Sequence, residues 1–121
     1  MAQILIIEDD VEFRNVLKEM MARQNYEVIV ASDGEEGTRL YEEALPDLVI
    51  TDLIMPNKGG MRTISDLKEK FPLVKIIAIS GGGELEAEQY LNASKSLKAD
   101  RVFKKPFANE ALIDAIKELI G

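Results

Sequence analysis

Residues 4–10 read ILIIEDD, an uninterrupted apolar run that stops at three acidic side chains. Four more short apolar runs recur along the chain, at residues 28–31 (VIVA), 48–51 (LVIT), 76–79 (IIAI) and 102–103 (VF). Most of these runs are continuously apolar and β-branched and do not alternate. They are therefore typical of strands buried on both faces, as in a parallel sheet that is covered by helices. The pattern indicates an α/β fold.

Segments with helical spacing of apolar residues separate these runs and follow the last one. The spacing predicts five helices, around residues 13–21, 40–45, 64–71, 84–97 and 112–120. Ser32 and Glu35 have the spacing of a capping box ahead of the second helix. Five alternating strands and helices with right-handed crossovers leave few topologies. The commonest for a chain of this size is the flavodoxin-like (βα)5 doubly wound parallel sheet with strand order 2-1-3-4-5.

Length and composition narrow the class of protein further. With 121 residues, the chain fits one domain, residues 1–121. No apolar run approaches the roughly 20 residues of a membrane span, and no secretory signal is visible, so we expect a cytoplasmic protein that does not insert into a membrane. The net charge of -7 argues against direct nucleic-acid binding, which needs an excess of Lys and Arg.

The missing residue types exclude several kinds of chemistry. The chain has no Cys and no His, which rules out disulfides, thiolate nucleophiles, imidazole bases and zinc sites built from Cys. Carboxylates, Lys and hydroxyl groups remain as the groups that could carry a reaction.

Polar side chains follow four of the predicted strands, where each strand ends. They are Glu8, Asp9, Asp10, Asp52, Ser80, Lys104 and Lys105. Taken singly, each fits an ordinary structural role as a helix cap, a turn residue or a solvated charge. Together they would gather several carboxylates, a hydroxyl and an ammonium at one edge of a parallel sheet.

Such a cluster of carboxylates is unstable without a cation. Two carboxylates about 4 Å apart repel each other by about 4 kcal/mol at an effective dielectric constant of about 20. Mg²⁺ matches an all-oxygen site that is open to solvent, because it binds few protein carboxylates and commonly bridges to a phosphate. An Asp beside Mg²⁺ can act as the nucleophile toward a phosphoryl group. Lys and Ser then serve as a positive charge and a hydrogen-bond donor for the phosphoryl oxygens.

Four motifs in this order resemble the receiver domain of two-component response regulators. They are ILIIEDD at residues 4–10, DLVITDLIMP at 47–56 with Gly60 after it, IIAIS at 76–80 and KKPF at 104–107. The resemblance covers essentially the whole chain. It implies a phosphoacceptor signalling switch that catalyses only its own phosphorylation and dephosphorylation, and therefore not an enzyme in the usual sense.

The resemblance also implies a magnesium site. Asp9 would bind Mg²⁺ directly and Glu8 through water, with Asp52 as a further ligand. The backbone carbonyl of Ile54 would complete the protein ligands, so the side chain at that position can be apolar.

The residues that handle the phosphoryl group are implied in the same way. Asp52 would be the phosphoacceptor, Lys105 would bind the phosphoryl group, and Ser80 would reach it through its hydroxyl. The family's usual cis bond would join Lys105 to Pro106.

The partners follow from the resemblance as well. Because the chain has no His, the phosphoryl donor would be a separate histidine kinase or histidine phosphotransfer protein, with small acyl phosphates as substitutes. Phosphorylation would change the surface formed by the fourth helix, fifth strand and fifth helix, and that surface would regulate a downstream protein target or output domain.

The sequence departs from the family pattern in two places. Val102 stands where most relatives have an aromatic residue that changes rotamer on activation. The chain between Ser80 and Lys105 is longer than usual by about three residues and begins with the three glycines 81–83. We therefore expect activation to be read through residues 81–97 and the fifth helix.

Two other functions remain open at this point. A pseudo-receiver would bind partners constitutively, without phosphate, but all the site residues are retained. A Mg²⁺-dependent phosphatase that uses Asp52 would need a second acid shortly after the nucleophile and a cap over the substrate. Ile54 and the short loops provide neither.

Overall fold

The computed structural model describes residues 1–53, 59–80 and 99–121. The strands and helices in these ranges are β1 Gln3–Ile7, α1 Val11–Arg23, β2 Glu27–Ala31, α2 Gly34–Ala44, β3 Leu48–Asp52, α3 Gly60–Lys70, β4 Ile76–Ser80, β5 Arg101–Lys104 and the C-terminal helix Asn109–Ile120. The predicted helix at residues 84–97 lies outside the described residues. None of the described helices is both long enough and apolar enough to cross a membrane.

The five strands form one parallel sheet in the order β2-β1-β3-β4-β5, so the predicted doubly wound topology is confirmed. The register pairs Ile7 with Thr51, Asp52 with Ile79, and Ser80 with Lys104. The carboxyl ends of β1, β3, β4 and β5 therefore meet at one edge of the sheet.

Both faces of the sheet are covered by helices, which explains why the strands are continuously apolar. Ile4 and Ile6 of β1 pack into a core with α1 and the C-terminal helix. Leu5 and Ile7 point to the opposite face and pack with α2 and α3. Because successive side chains of a strand alternate between faces, a sheet buried on both sides needs apolar residues at every position.

The start of α2 differs by one residue from the predicted capping box. Asp33 is the N-cap residue, and its Oδ1 accepts a hydrogen bond from the Glu36 backbone N–H at 2.9 Å. Glu36 Oε1 in turn accepts from the backbone N–H of Ser32 at 2.7 Å. The prediction of Ser32 and Glu35 was wrong because Asp33 and Glu36 have the same spacing, and the carboxylate of Asp33 caps the helix in place of the Ser32 hydroxyl.

Candidate functional site

The two acids that follow β1 have opposite environments. Glu8 is 2% exposed, whereas its neighbour Asp9 is exposed. Glu8 Oε2 accepts a hydrogen bond from the backbone N–H of Asp10 at 3.3 Å, and Arg14 Nη1 donates to the backbone carbonyl of Glu8 at 3.1 Å. The loop thus holds Glu8 inward and leaves Asp9 toward solvent.

Asp10 has the structural role that its position before a helix suggests. Its Oδ1 accepts from the backbone N–H groups of Glu12 at 3.0 Å and Phe13 at 3.3 Å, so it caps α1. These bonds satisfy two N–H groups of the first helical turn that have no partner within the helix. The sequence alone left open whether Asp10 belongs to the acidic cluster, and this capping role accounts for its carboxylate.

Asp52 ends β3 at the same edge of the sheet and is 8% exposed. The chain beyond it stays in the sheet for one more residue, because the Leu53 N–H donates to the carbonyl of Ile79 at 3.0 Å. Gly60, the first residue of α3, donates its N–H to the carbonyl of Leu53 at 3.2 Å. A Cβ at Gly60 would overlap the backbone carbonyl of Asp52, so only glycine lets α3 lie this close to the end of β3.

Lys105 brings a positive charge to the two buried acids. Its Nζ lies 3.4 Å from Asp52 Oδ2, to which it donates a hydrogen bond, and 3.5 Å from Glu8 Oε1. The backbone N–H of Lys105 donates to the carbonyl of Ser80 at 2.7 Å, which fixes the loop after β5 against the end of β4. The Lys105–Pro106 peptide bond is cis, as the resemblance implies.

Two buried oxygen atoms at this edge lack hydrogen bonds. Ser80 Oγ and Glu8 Oε1 have no hydrogen-bond partner among the described residues, although both residues are almost fully buried. An unsatisfied buried polar atom typically costs about 1–3 kcal/mol. Glu8 Oε1 still has the Lys105 ammonium group at 3.5 Å as an ion-pair partner, whereas the Ser80 hydroxyl remains available for a ligand.

The buried Glu8 carboxyl group is unusually basic. Its burial, reinforced by the negative charge of Asp52, raises the pKa of Glu8 to about 8, although the Lys105 ammonium acts in the opposite direction. Without a bound cation, this shift favours the protonated form of Glu8. A bound cation would favour loss of this proton by adding positive charge beside the carboxylate.

The acidic side chains fit a hard divalent cation. One carboxylate oxygen from each of Glu8, Asp9 and Asp52 lies within 4.8 Å of the others. Oxygen ligands of this kind are those that Mg²⁺ and Ca²⁺ bind. Ile54, predicted to contribute its backbone carbonyl, lies outside the described residues.

Comparison with known proteins identifies the domain that carries this site. The response regulator receiver domain family matches residues 4–117 of the chain. The chain belongs to the receiver-domain family. The receiver domains of two-component response regulators are signalling switches, and a phosphoacceptor role is therefore supported for this chain.

Similar proteins include both short and longer response regulators. The chain is 32% identical to the transcriptional regulatory protein CpxR of Escherichia coli over 99% of its length, but it spans only 50% of that protein. It is 30% identical to the chemotaxis protein CheY of Halobacterium salinarum, with 98% and 96% of the two chains covered. The chain thus spans about half the length of the CpxR relatives and nearly all of CheY.

A solved structure supports the same assignment. A response regulator receiver domain protein from Clostridium thermocellum superposes on this receiver domain with a TM-score of 0.91 and 29% sequence identity. The match covers 99% of this chain and 94% of the other. The similarity thus extends over nearly the whole length of both chains.

The structure brings together most of the residues that the sequence predicted for the site. Glu8, Asp9, Asp52 and Lys105 converge at one edge, and Ser80 ends the adjacent strand. Their individual roles in phosphoryl transfer stay predictions.

Lys105 has a further neighbour, Phe13, that could not be recognised from the sequence motifs. The ring centroid of Phe13 lies 4.0 Å from Lys105 Nζ, whereas the helical spacing had indicated only a core position. The position of Phe13 in the sequence could have revealed this contact. Phe13 lies in the first helical turn after Glu8-Asp9-Asp10, and that turn starts at the edge of the sheet where Lys105 was predicted to lie.

Part of the region that departs from the family pattern lies within the described residues. Val102 packs with the core on the α3 face, and the neighbouring Phe103 packs on the opposite face. Residues 81–97, including the three glycines, lie outside the described residues. The expectation that activation is read through this segment stays a prediction.

Proposed function

We propose that this receiver domain, residues 1–121, accepts a phosphoryl group on Asp52 in a two-component phosphorelay. The observation that carries the proposal is the convergence of Lys105 Nζ on Asp52 Oδ2 beside the carboxylates of Glu8 and Asp9. Asp52 accepts a hydrogen bond from Lys105 at 3.4 Å, and this contact supports Asp52 as the nucleophile.

The transfer needs positioning and charge neutralisation more than covalent chemistry by the protein. A carboxylate oxygen of Asp52 forms a bond to phosphorus while the bond from phosphorus to the donor breaks, and the bonding electrons leave with the donor. Lys105 attracts the phosphoryl oxygens and holds them in line with Asp52.

The acidic residues supply the metal-binding part of the site. Glu8, Asp9 and Asp52 would hold Mg²⁺, with the backbone carbonyl of Ile54 as the remaining protein ligand. When bound, the ion neutralises the charge that gathers on the phosphoryl oxygens during transfer. Ser80 would donate its hydroxyl to the phosphoryl group and would couple the phosphorylated state to the chain beyond β4.

The proposed partners are those of a receiver domain. The phosphoryl donor is a histidine kinase or histidine phosphotransfer protein, and small acyl phosphates substitute for it in vitro. The target is a downstream protein or an output domain, contacted through the surface that includes β5 and the C-terminal helix. Both partners are expected in the cytoplasm, and cell fractionation would test that location.

The proposal is tested by the intact mass of the protein after incubation with Mg²⁺ and acetyl phosphate. We expect the mass of one phosphoryl group to be added to the parent protein and nothing to be added to Asp52→Asn. Asp10→Asn is the matched control, because Asp10 caps α1 and should leave labelling intact. Undiminished labelling of Asp52→Asn would contradict the assignment of the nucleophile.

The same experiment separates the other two functions. A pseudo-receiver would show no addition at any concentration of acetyl phosphate. A phosphatase would show steady release of phosphate from unrelated phosphoesters over many turnovers. A receiver gives one addition, which disappears as the acyl phosphate on Asp52 hydrolyses.

A further inference from the structure

The contact between Lys105 and Phe13 joins two residues from distant parts of the chain. Lys105 Nζ lies 4.0 Å from the centroid of the Phe13 ring while it donates a hydrogen bond to Asp52. An ammonium group at this distance over an aromatic face is attracted by the negative potential of the ring. The ring therefore contacts the same ammonium group that the proposed function assigns to the phosphoryl oxygens.

The ring of Phe13 is fixed from two directions. Its backbone N–H is bound by the N-cap carboxylate of Asp10, which sets the first turn of α1. Its side chain packs edge-on against Phe107, with a centroid distance of 6.4 Å and an interplanar angle of 72°. Phe107 in turn packs against Phe103 at 5.5 Å. The aromatic cluster of Phe13, Phe103 and Phe107 thus connects α1 with β5 and the loop after it.

Lys105 needs such a support, because its side chain is long and 29% exposed. Its acidic neighbours, Asp52 and Glu8, lie 3.4 and 3.5 Å from the ammonium group. Both are also the carboxylates proposed to bind Mg²⁺, so a bound cation would compete for them. The ring would remain a partner of the ammonium group when that competition occurs.

A neutral ring is also better suited to this position than another carboxylate. An acidic side chain would attract Lys105 equally well, but its negative charge would repel the incoming phosphoryl group. The ring attracts the ammonium group through its face and adds no net charge. The N–H groups of Lys105 remain able to donate to carboxylate or phosphoryl oxygens.

We propose that Phe13 is the positioning residue for Lys105, holding its ammonium group beside Asp52 through the face of its ring. The proposal rests on the proposed function, because it concerns the lysine that binds the phosphoryl group. Loss of the ring would release Lys105 toward solvent. A partly exposed contact of this kind changes the equilibrium constant between the held and the released position of Lys105 by a factor of about five.

The test replaces Phe13 with phenylalanines that carry one, two or three ring fluorines. Fluorine withdraws electron density from the ring face and changes its size little, so a purely structural role would not respond. We expect the rate constant for phosphorylation by acetyl phosphate to fall stepwise along the series, to about one fifth with three fluorines. Phe13→Tyr keeps an aromatic ring and should react at the parent rate. Phe13→Leu has no ring and should react more slowly.

Phe107→Leu is the matched control variant, because it disturbs the same aromatic cluster and leaves the Phe13 ring in place. We expect it to phosphorylate faster than Phe13→Leu. If the parent protein is phosphorylated and all the fluorinated variants react at the same rate as the parent, that result overturns the proposal. A loss in Phe107→Leu equal to that in Phe13→Leu would do the same, because packing alone would then explain the effect.

An NMR measurement keeps this inference separate from the proposed function. The Lys105 methylene next to Nζ should show a ring-current shift to high field in the parent protein without phosphate, and Phe13→Leu should abolish it. An unchanged shift in that variant would overturn the contact. A parent protein that accepts no phosphoryl group would instead overturn the proposed function, and the shift would still report whether the ring holds Lys105.

Discussion

At the scale of single residues, Glu8 and Asp9 show how neighbours in the chain acquire different properties. Both are acids that follow β1, yet Glu8 is buried beside Asp52 while Asp9 faces solvent. The pKa of Glu8 is raised to about 8, and burial is the main cause. Glu8 therefore links the stability of the metal-free domain to pH.

The stability of the metal-free domain should fall as pH rises from about 4.5 to about 8. The native pKa of Glu8 lies above its ordinary value of 4.5, so in this interval the unfolded chain releases a proton that the native state retains. The free energy of unfolding falls by at most about 1.4 kcal/mol per pH unit. Urea denaturation in chelator across this range measures it. Glu8→Gln carries no such proton, and an equally steep fall in that variant would contradict the assignment.

Mg²⁺ should stabilise the parent protein more than Asp52→Asn. At ten times its dissociation constant, a ligand raises the free energy of unfolding by about 1.4 kcal/mol, which corresponds to a Tm increase of about 5 °C for a chain of this size. Asp52→Asn should be more stable than the parent in chelator, because it removes the charge that repels the neighbouring carboxylates. Its stability should increase less with Mg²⁺, because one carboxylate ligand is missing. Thermal melts at matched ionic strength compare the two proteins. Equal Mg²⁺ increments would mean that Asp52 is not a metal ligand.

At the scale of secondary-structure elements, the start of α3 determines where Asp52 lies. Gly60 places the first turn of the helix directly against the backbone of Asp52 and Leu53. The fit depends on the missing side chain, because a Cβ at this position would overlap backbone atoms that cannot move independently. The packing of one helix terminus thus supports the position of the proposed nucleophile.

Gly60→Ala should destabilise the domain by about 1–3 kcal/mol, the usual cost of overpacking, and should slow phosphorylation by displacing Asp52. Gly59→Ala is the matched control. A Cβ at Gly59 would find its nearest neighbour, the carbonyl of Leu53, at 3.9 Å, and its φ of -68° is open to any residue. Chemical denaturation and the acetyl phosphate reaction measure the two effects. Similar losses in both variants would show that close packing at Gly60 is not the cause.

At the scale of the whole molecule, the parallel topology concentrates chemistry at one edge. Strands β1, β3, β4 and β5 all end there, and each contributes a polar residue or leads into one. The two cores behind this edge pack on opposite faces of the sheet. A change at the edge can therefore reach both helical layers through the ends of the strands.

Ser80→Ala should leave phosphorylation of Asp52 largely intact and weaken the structural response. The Ser80 hydroxyl has no hydrogen-bond partner in the described ranges, so it is available to a phosphoryl oxygen and would draw the end of β4 inward. Amide chemical shifts of β5 and the C-terminal helix, recorded before and after phosphorylation, measure that response. Identical shift changes in the parent and the variant would contradict the coupling role.

The sequence by itself determined the strands, their order and which polar residues meet at one edge of the sheet. Periodicity is a local property, and the handedness of crossovers restricts the topology, so the edge that collects Glu8, Asp52, Ser80 and Lys105 could be predicted. The resemblance to the receiver family then suggested roles for them. Even the capping box of α2 was placed within one residue.

Only the tertiary structure decided the environment of each of these residues. It buried Glu8 and exposed Asp9, assigned Asp10 to the cap of α1, packed Gly60 against Asp52, and placed the ring of Phe13 beneath Lys105, which lies far along the chain. These properties depend on distances between segments that are remote in sequence. No local pattern encodes them, because burial and electrostatic interaction are set by all the atoms that surround a group after folding.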